Sequence, residues 1–182
     1  MELREWAEAI LHGSGLDTKL FGPQVLTDLS PGLPVEVPRA PARDAAISWV
    51  SSRSRSKVPF PTLGQMDRDE QRGIILHFFA NHELLALELM ALALLRFPDA
   101  PAAFRRGIAG VMKEEQEHLR RYLVRMEELG VVFGAVPVNS YFWDVMAPTT
   151  SPLVFVTQMA LTFEQANLDL SLIHISEPTR RY

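Results

Sequence analysis

The placement of proline constrains this chain more than any other feature. Seven of its 13 prolines fall between Pro23 and Pro61, and none lies between Pro61 and Pro98 or between Pro101 and Pro137. Proline removes a backbone donor and clashes with the preceding helical turn. No long helix can therefore cross residues 22–64, while two later stretches can be helical throughout. Asp67 with Glu70 three residues on resembles a capping box and predicts a first long helix of about 29 residues, roughly 43 Å. Pro98 and Pro101 break it. A second long helix is predicted over Ala102–Leu129, stopped by Gly130. Ser151-Pro152 predicts a third, with proline at the first helical position. No strand pattern competes, so the fold class expected is all-α, an antiparallel bundle.

The remaining segments serve as connections. Leu3–His12 is predicted as a short amphipathic helix ended by Gly13. Residues 22–64 should form an extended arm over the domain, with a helical turn near Ala45–Val50. The basic, polar run at 51–57 reads as a solvated loop. Residues 131–148 read as a loop with a short helix at Tyr141–Met146.

Composition narrows the function classes. At 182 residues and 47% hydrophobic, the chain can bury a single core. A net charge of −4 argues against bulk electrostatic binding of nucleic acid, while a local basic patch stays open. The chain has no cysteine, which excludes disulfides, thiolate metal sites and cysteine nucleophiles; a cytoplasmic location is the default. The acidic N-terminus does not read as a signal peptide. Residues 78–97 could span a bilayer by length, but they include Glu83, Glu88 and Arg96. Each charge at bilayer depth costs several kcal/mol, so a buried helix is expected and no membrane partner.

The helices carry the chemistry. On the second long helix Ile108, Val111, Met112, Leu119, Tyr122, Met126 and Leu129 form an apolar stripe, and Glu115 and His118 fall on it. A spacing of three stacks the two side chains on one face. Glu-x-x-His is how helical bundles present two ligands to a metal pair. Taken alone the motif is weak, and EEQEH is rich enough in Glu for a chance match. On the first long helix Glu83 shares a face with Leu76, Ala80, Leu87, Ala91 and Leu94, while Glu88 adjoins it with His77 and Asn81. On the third, Glu164 shares a face with Leu153, Thr157, Ala160, Leu161 and Leu168. A carboxylate inside an apolar bundle costs several kcal/mol unless compensated, and a metal pair would compensate all of them together. His77 and His82 read as hydrogen-bonded or supporting residues, and Trp6, Trp49 and Trp143 as packing anchors.

HFFANHELLALELMALALLRFPDAP (77–101), FRRGIAGVMKEEQEHLRRYLVRMEELGVVFG (104–134), PVNSYFW (137–143) and LTFEQANLDL (161–170) together resemble a bacterial family of the ferritin-like superfamily, the domain of unknown function 455. The resemblance covers most of residues 1–169. It implies a ferritin-like four-helix bundle with Glu on the first helix, Glu-x-x-His on the second, Glu on the third and Glu-x-x-His on the fourth. Carried onto this chain, the ligands are Glu83, Glu115, His118 and Glu164, with Glu88 as the alternative to Glu83. No second Glu-x-x-His follows Glu164. Residues 170–180, LSLIHISEPTR, read as translated sequencing adaptor. The organisation expected is therefore an N-terminal helix and arm (1–66), a truncated bundle (67–169) and a non-native tail (170–182).

The function expected is that of a di-iron, or manganese/iron, carboxylate protein acting as an oxygen-dependent oxidoreductase or hydroxylase on a substrate the sequence does not name. Two alternatives stand beside it. One is ferroxidase or metal-handling activity; the other is a metal-free helical scaffold or binding module. The catalytic residues beyond the ligands are unassigned, and the truncated chain is expected to be inactive. Truncation should also leave an apolar face uncovered, which would favour a homodimer.

Overall fold

The structure is a computed structural model that describes residues 1–52 and 59–161. The described residues form helices and loops with no strand, and a single isolated bridge joins Glu2 to Thr27. In chain order the helices are α1 (Leu3–His12), α2 (Leu16–Leu20), α3 (Trp49–Ser52), α4 (Asp69–Arg96), α5 (Ala102–Glu128), α6 (Tyr141–Met146) and α7 (Pro152–Leu161), with a 3-10 turn at Leu63–Gln65. The chain divides into two compact units, Met1–Pro148 and Thr149–Tyr182. The expected arm and the two long helices both lie in the first.

α4 and α5 form an antiparallel hairpin. Arg105 reaches the Leu94 carbonyl, His118 lies near Glu83, and Tyr122 stacks on Phe79. Residue numbers thus rise on one helix as they fall on the other. α4 ends at Arg96, capped by Phe97, because Pro98 follows. α5 ends in a Schellman turn. Gly130 takes φ +74°, its N–H donates to the Glu127 carbonyl at 3.0 Å, and the Val131 N–H donates to the Met126 carbonyl at 2.9 Å.

From Leu84 to Leu95 every residue of α4 is buried. α1 packs on α4, α2 touches α1 and α5, and α6 lies against α4. α4 is long and apolar enough to cross a membrane by length and composition, yet most of that stretch is buried inside the protein. The wrapping segments explain this, since they cover faces of α4 that a simple hairpin would leave open.

α2 has no counterpart among the elements expected from the sequence. The predicted helical turn is displaced to Trp49–Ser52, and α4 starts two residues after Asp67. In the second unit, the stripe expected to face inward on α7 is solvent-exposed: Leu153 is 75% and Leu161 68% accessible, and Thr157 and Ala160 are exposed too. Phe155 is the buried residue instead. Residues 153–156 are consecutively apolar, so periodicity could not select the buried face.

Candidate metal centre

The hairpin register brings Glu83 of α4 opposite Glu115 and His118 of α5. One ligand atom from each of the three lies within 4.8 Å of the others. His118 Nδ1 stands 3.1 Å from Glu115 Oε2 and 3.9 Å from Glu83 Oε2. The Glu83 and Glu115 side chains are only 16% and 15% accessible, whereas His118 is 51% accessible. Burial, reinforced by a shared hydrogen bond with Glu115 and by its charge, pushes the Glu83 carboxyl up to about 9. A carboxyl held protonated at neutral pH beside a second carboxyl marks a place short of positive charge.

The second carboxylate on α4 has that charge already. Glu88 is fully buried and accepts from Lys19 Nζ at 2.9 Å and from Arg43 Nε and Nη2 at 3.0 and 2.6 Å. Arg43 also donates to Asn81 Oδ1 at 2.9 Å and to the Ile47 carbonyl at 3.2 Å, and lies over the Trp49 ring. Lys19 Nζ donates to the Ile10 carbonyl at 2.5 Å. Burial pulls the Lys19 ammonium down, and the charge of Glu88 pulls it back up. Glu88 therefore fastens the N-terminal segments to α4, as the inward face it shares with Asn81 requires.

The α5 stripe is turned from its expected position. The buried residues are Arg105, Ile108, Ala109, Met112, Gln116, Leu119 and Met126. Glu115 borders this stripe and His118 lies farther out, with Val111 exposed. The reason is Gln116, whose Nε2 donates to the carbonyls of Lys19 at 2.7 Å and Phe21 at 3.0 Å. α2 thus claims a polar residue of α5 that sequence periodicity assigns to no face. Glu117 is exposed and pairs with Arg121 at 3.0 Å.

The neighbouring rings shape the centre. Tyr122 stacks on Phe79 at 6.0 Å, and burial, then the charges of Glu83 and Glu115, raise its phenol above the usual value. His77 accepts the Gly134 N–H at Nε2, 2.8 Å away, and burial lowers its imidazole to about 4. His82 sits among Phe78, Phe79 and Phe142, likewise lowered to about 4 by burial. Both are neutral residues of the packed interior. Trp6 donates to the Phe21 carbonyl at 2.8 Å, and Trp49 meets Trp143 at 6.3 Å, so the tryptophans do anchor the packing. Glu164, Leu168 and the tail at 170–182 lie outside the described residues, as do positions 53–57 of the basic run.

No curated protein sequence and no solved structure matches the chain. A family match does exist, to the family described as "Protein of unknown function (DUF455)", over residues 15–177. The matched span holds both long helices and all three converging residues, and it runs past residue 169, where the native sequence is expected to stop. Covering most of the chain, it shows that this protein belongs to the DUF455 family.

Proposed function

We propose that this chain forms part of a ferritin-like helical bundle in which Glu83, Glu115 and His118 hold iron, or iron with manganese, in a carboxylate centre for oxygen-dependent oxidation or hydroxylation. The observation that carries the reading is the convergence of the three ligand atoms within 4.8 Å. Two carboxylates and one imidazole are a donor set suited to iron and manganese. The same cation would offset the burial, and the smaller repulsion from Glu115, that keep Glu83 protonated without it.

When bound, a pair of such metals supplies binding and reduction of dioxygen. Glu83 and Glu115 act as anionic ligands from facing helices, and His118 as the neutral donor. Tyr122, stacked on Phe79, borders Glu83 and Glu115 on one side. Glu164, which lies outside the described residues, stays in the proposed ligand set on sequence grounds alone, for the second metal. The compartment proposed is the cytoplasm, and the substrate is unassigned.

One observation favours metal handling as a second reading. His118 is half exposed, which gives ions from solvent a direct route to the centre. Dioxygen uptake on adding Fe(II) to the metal-free full-length protein tests both readings. Uptake above that of free Fe(II), lost in Glu115→Ala, is the result expected; uptake equal to that of free iron would overturn them. An organic product then distinguishes oxidation of a substrate from storage of oxidised iron.

A further inference from the structure

Away from the carboxylate centre, a groove runs between the first half of α5 and residues 26–29, with a volume of about 530 Å³. That size lies in the range of small-molecule sites. Its floor is apolar, built from Leu3, Leu26 and Ala109, and Arg106, Gly110 and Lys113 form its α5 wall. These three positions follow the i, i+4, i+7 spacing, so they share one face of the helix. The one acid in the groove is already satisfied: Asp28 accepts from Arg105 Nε and Nη2, both at 2.7 Å, and this pairing lowers its carboxyl. Arg106 and Lys113 make no ion pair among the described residues. Asp28 also attracts Arg106 through space, but it is ion-paired to Arg105, so the groove carries an excess of positive charge above an apolar floor.

Gly110 adds a separate observation. A glycine inside a helix costs about 1 kcal/mol against alanine. No contact enforces the cost, because a β-carbon at Gly110 would meet nothing within 4 Å. The missing side chain leaves open space between the two cations. We propose that this groove binds a free amphipathic anion, a carboxylate or phosphate head with an unbranched apolar tail. The head lies between Arg106 and Lys113 over Gly110, and the tail runs along Leu3, Leu26 and Ala109.

Titration calorimetry of the 182-residue protein with octanoate, octyl phosphate and 1-octanol tests the proposal. The two anions should bind one shared site and compete with each other. Octanol should bind about tenfold more weakly, since two exposed ion pairs are worth roughly that much together. Arg106→Ala combined with Lys113→Ala should bring octanoate down to the level of octanol. Gly110→Leu should abolish binding while leaving the melting temperature unchanged or higher, so that loss of the site is separated from loss of the fold. Absence of anion binding, equal binding of octanol, or retained binding in Gly110→Leu would each overturn it. Co-sedimentation with phosphatidylcholine/phosphatidylglycerol vesicles distinguishes the ligand's source. The protein should stay in the supernatant, and pelleting that depends on Arg106 and Lys113 would overturn the free-anion reading in favour of a lipid surface.

Discussion

Glu83 and Glu88 lie five residues apart on α4, and their environments could hardly differ more. Glu88 receives two cations from segments far away in sequence, Lys19 and Arg43. Glu83 receives no Lys or Arg among the described residues; its neighbours are another carboxyl and an imidazole. Removing one member of a buried ion cluster leaves the others uncompensated, at a cost of about 3–5 kcal/mol. Glu88→Gln should therefore lower stability by about that much in denaturant unfolding, with Lys19 and Arg43 left without their anion. Glu83→Gln should cost the metal-free protein far less, since the native carboxyl is already protonated at neutral pH. Equal losses would mean that both carboxylates are structural. The sequence shows both residues to be inward and anomalous. It does not show which is neutralised, because Lys19 and Arg43 approach from 69 and 45 residues away and carry no local signal. Gln116 escapes a sequence reading for the same reason, as its partners are carbonyls of the distant α2 and the residue that follows it.

At the scale of elements, breakers and caps are the legible part. Pro98 and Gly130 end α4 and α5 where expected, and α1 and α6 also have their predicted bounds. α2 is illegible because a five-residue helix has no room for a periodic pattern and is held by contacts with α1 and α5. Periodicity places the α5 face slightly off centre, since the buried surface includes Arg105 and Gln116. Arg105 donates to the Leu94 carbonyl at 2.8 Å and the Phe97 carbonyl at 3.2 Å, so it satisfies the open end of α4 while pairing with Asp28. On the opposite, exposed side, a β-carbon added at Gly107 would meet nothing within 4 Å. Gly107→Ala should therefore stabilise the protein by about 0.5–1 kcal/mol, raising the melting temperature by roughly 1–4 °C. A fall in melting temperature would show that something packs closely against that face.

Across the whole molecule, the interior is built around neutral histidines as well as apolar residues. An unfolded histidine titrates near ~6.5, whereas His77 and His82 are held to about 4 in the fold. Their contribution to stability is complete above the unfolded value and is lost as pH falls from about 6.5 through about 4. Glu83 acts in the reverse sense. Its raised carboxyl favours the fold below about 4.5, and that contribution is lost as pH rises towards about 9. A melting curve of the parent protein mixes the two effects, so a difference isolates one. The stability of His82→Leu relative to the parent should improve steadily from about pH 7 to about pH 4.5. A difference independent of pH would contradict the lowered His82 value.

The same Glu83 proton links the fold to its proposed role, because a metal must displace it. The direct test is anaerobic calorimetric titration of the metal-free protein with Fe(II) and Mn(II), at about pH 6 and about pH 8. We expect binding of one ion per chain by Glu83, Glu115 and His118, with protons released and higher affinity at the higher pH. Glu115→Ala and His118→Ala should each weaken binding by more than about tenfold, while Glu117→Ala, which alters only exposed pairs with Arg120 and Arg121, should leave it unchanged. No binding at either pH, or the same loss from Glu117→Ala as from Glu115→Ala, would contradict a metal centre at this site.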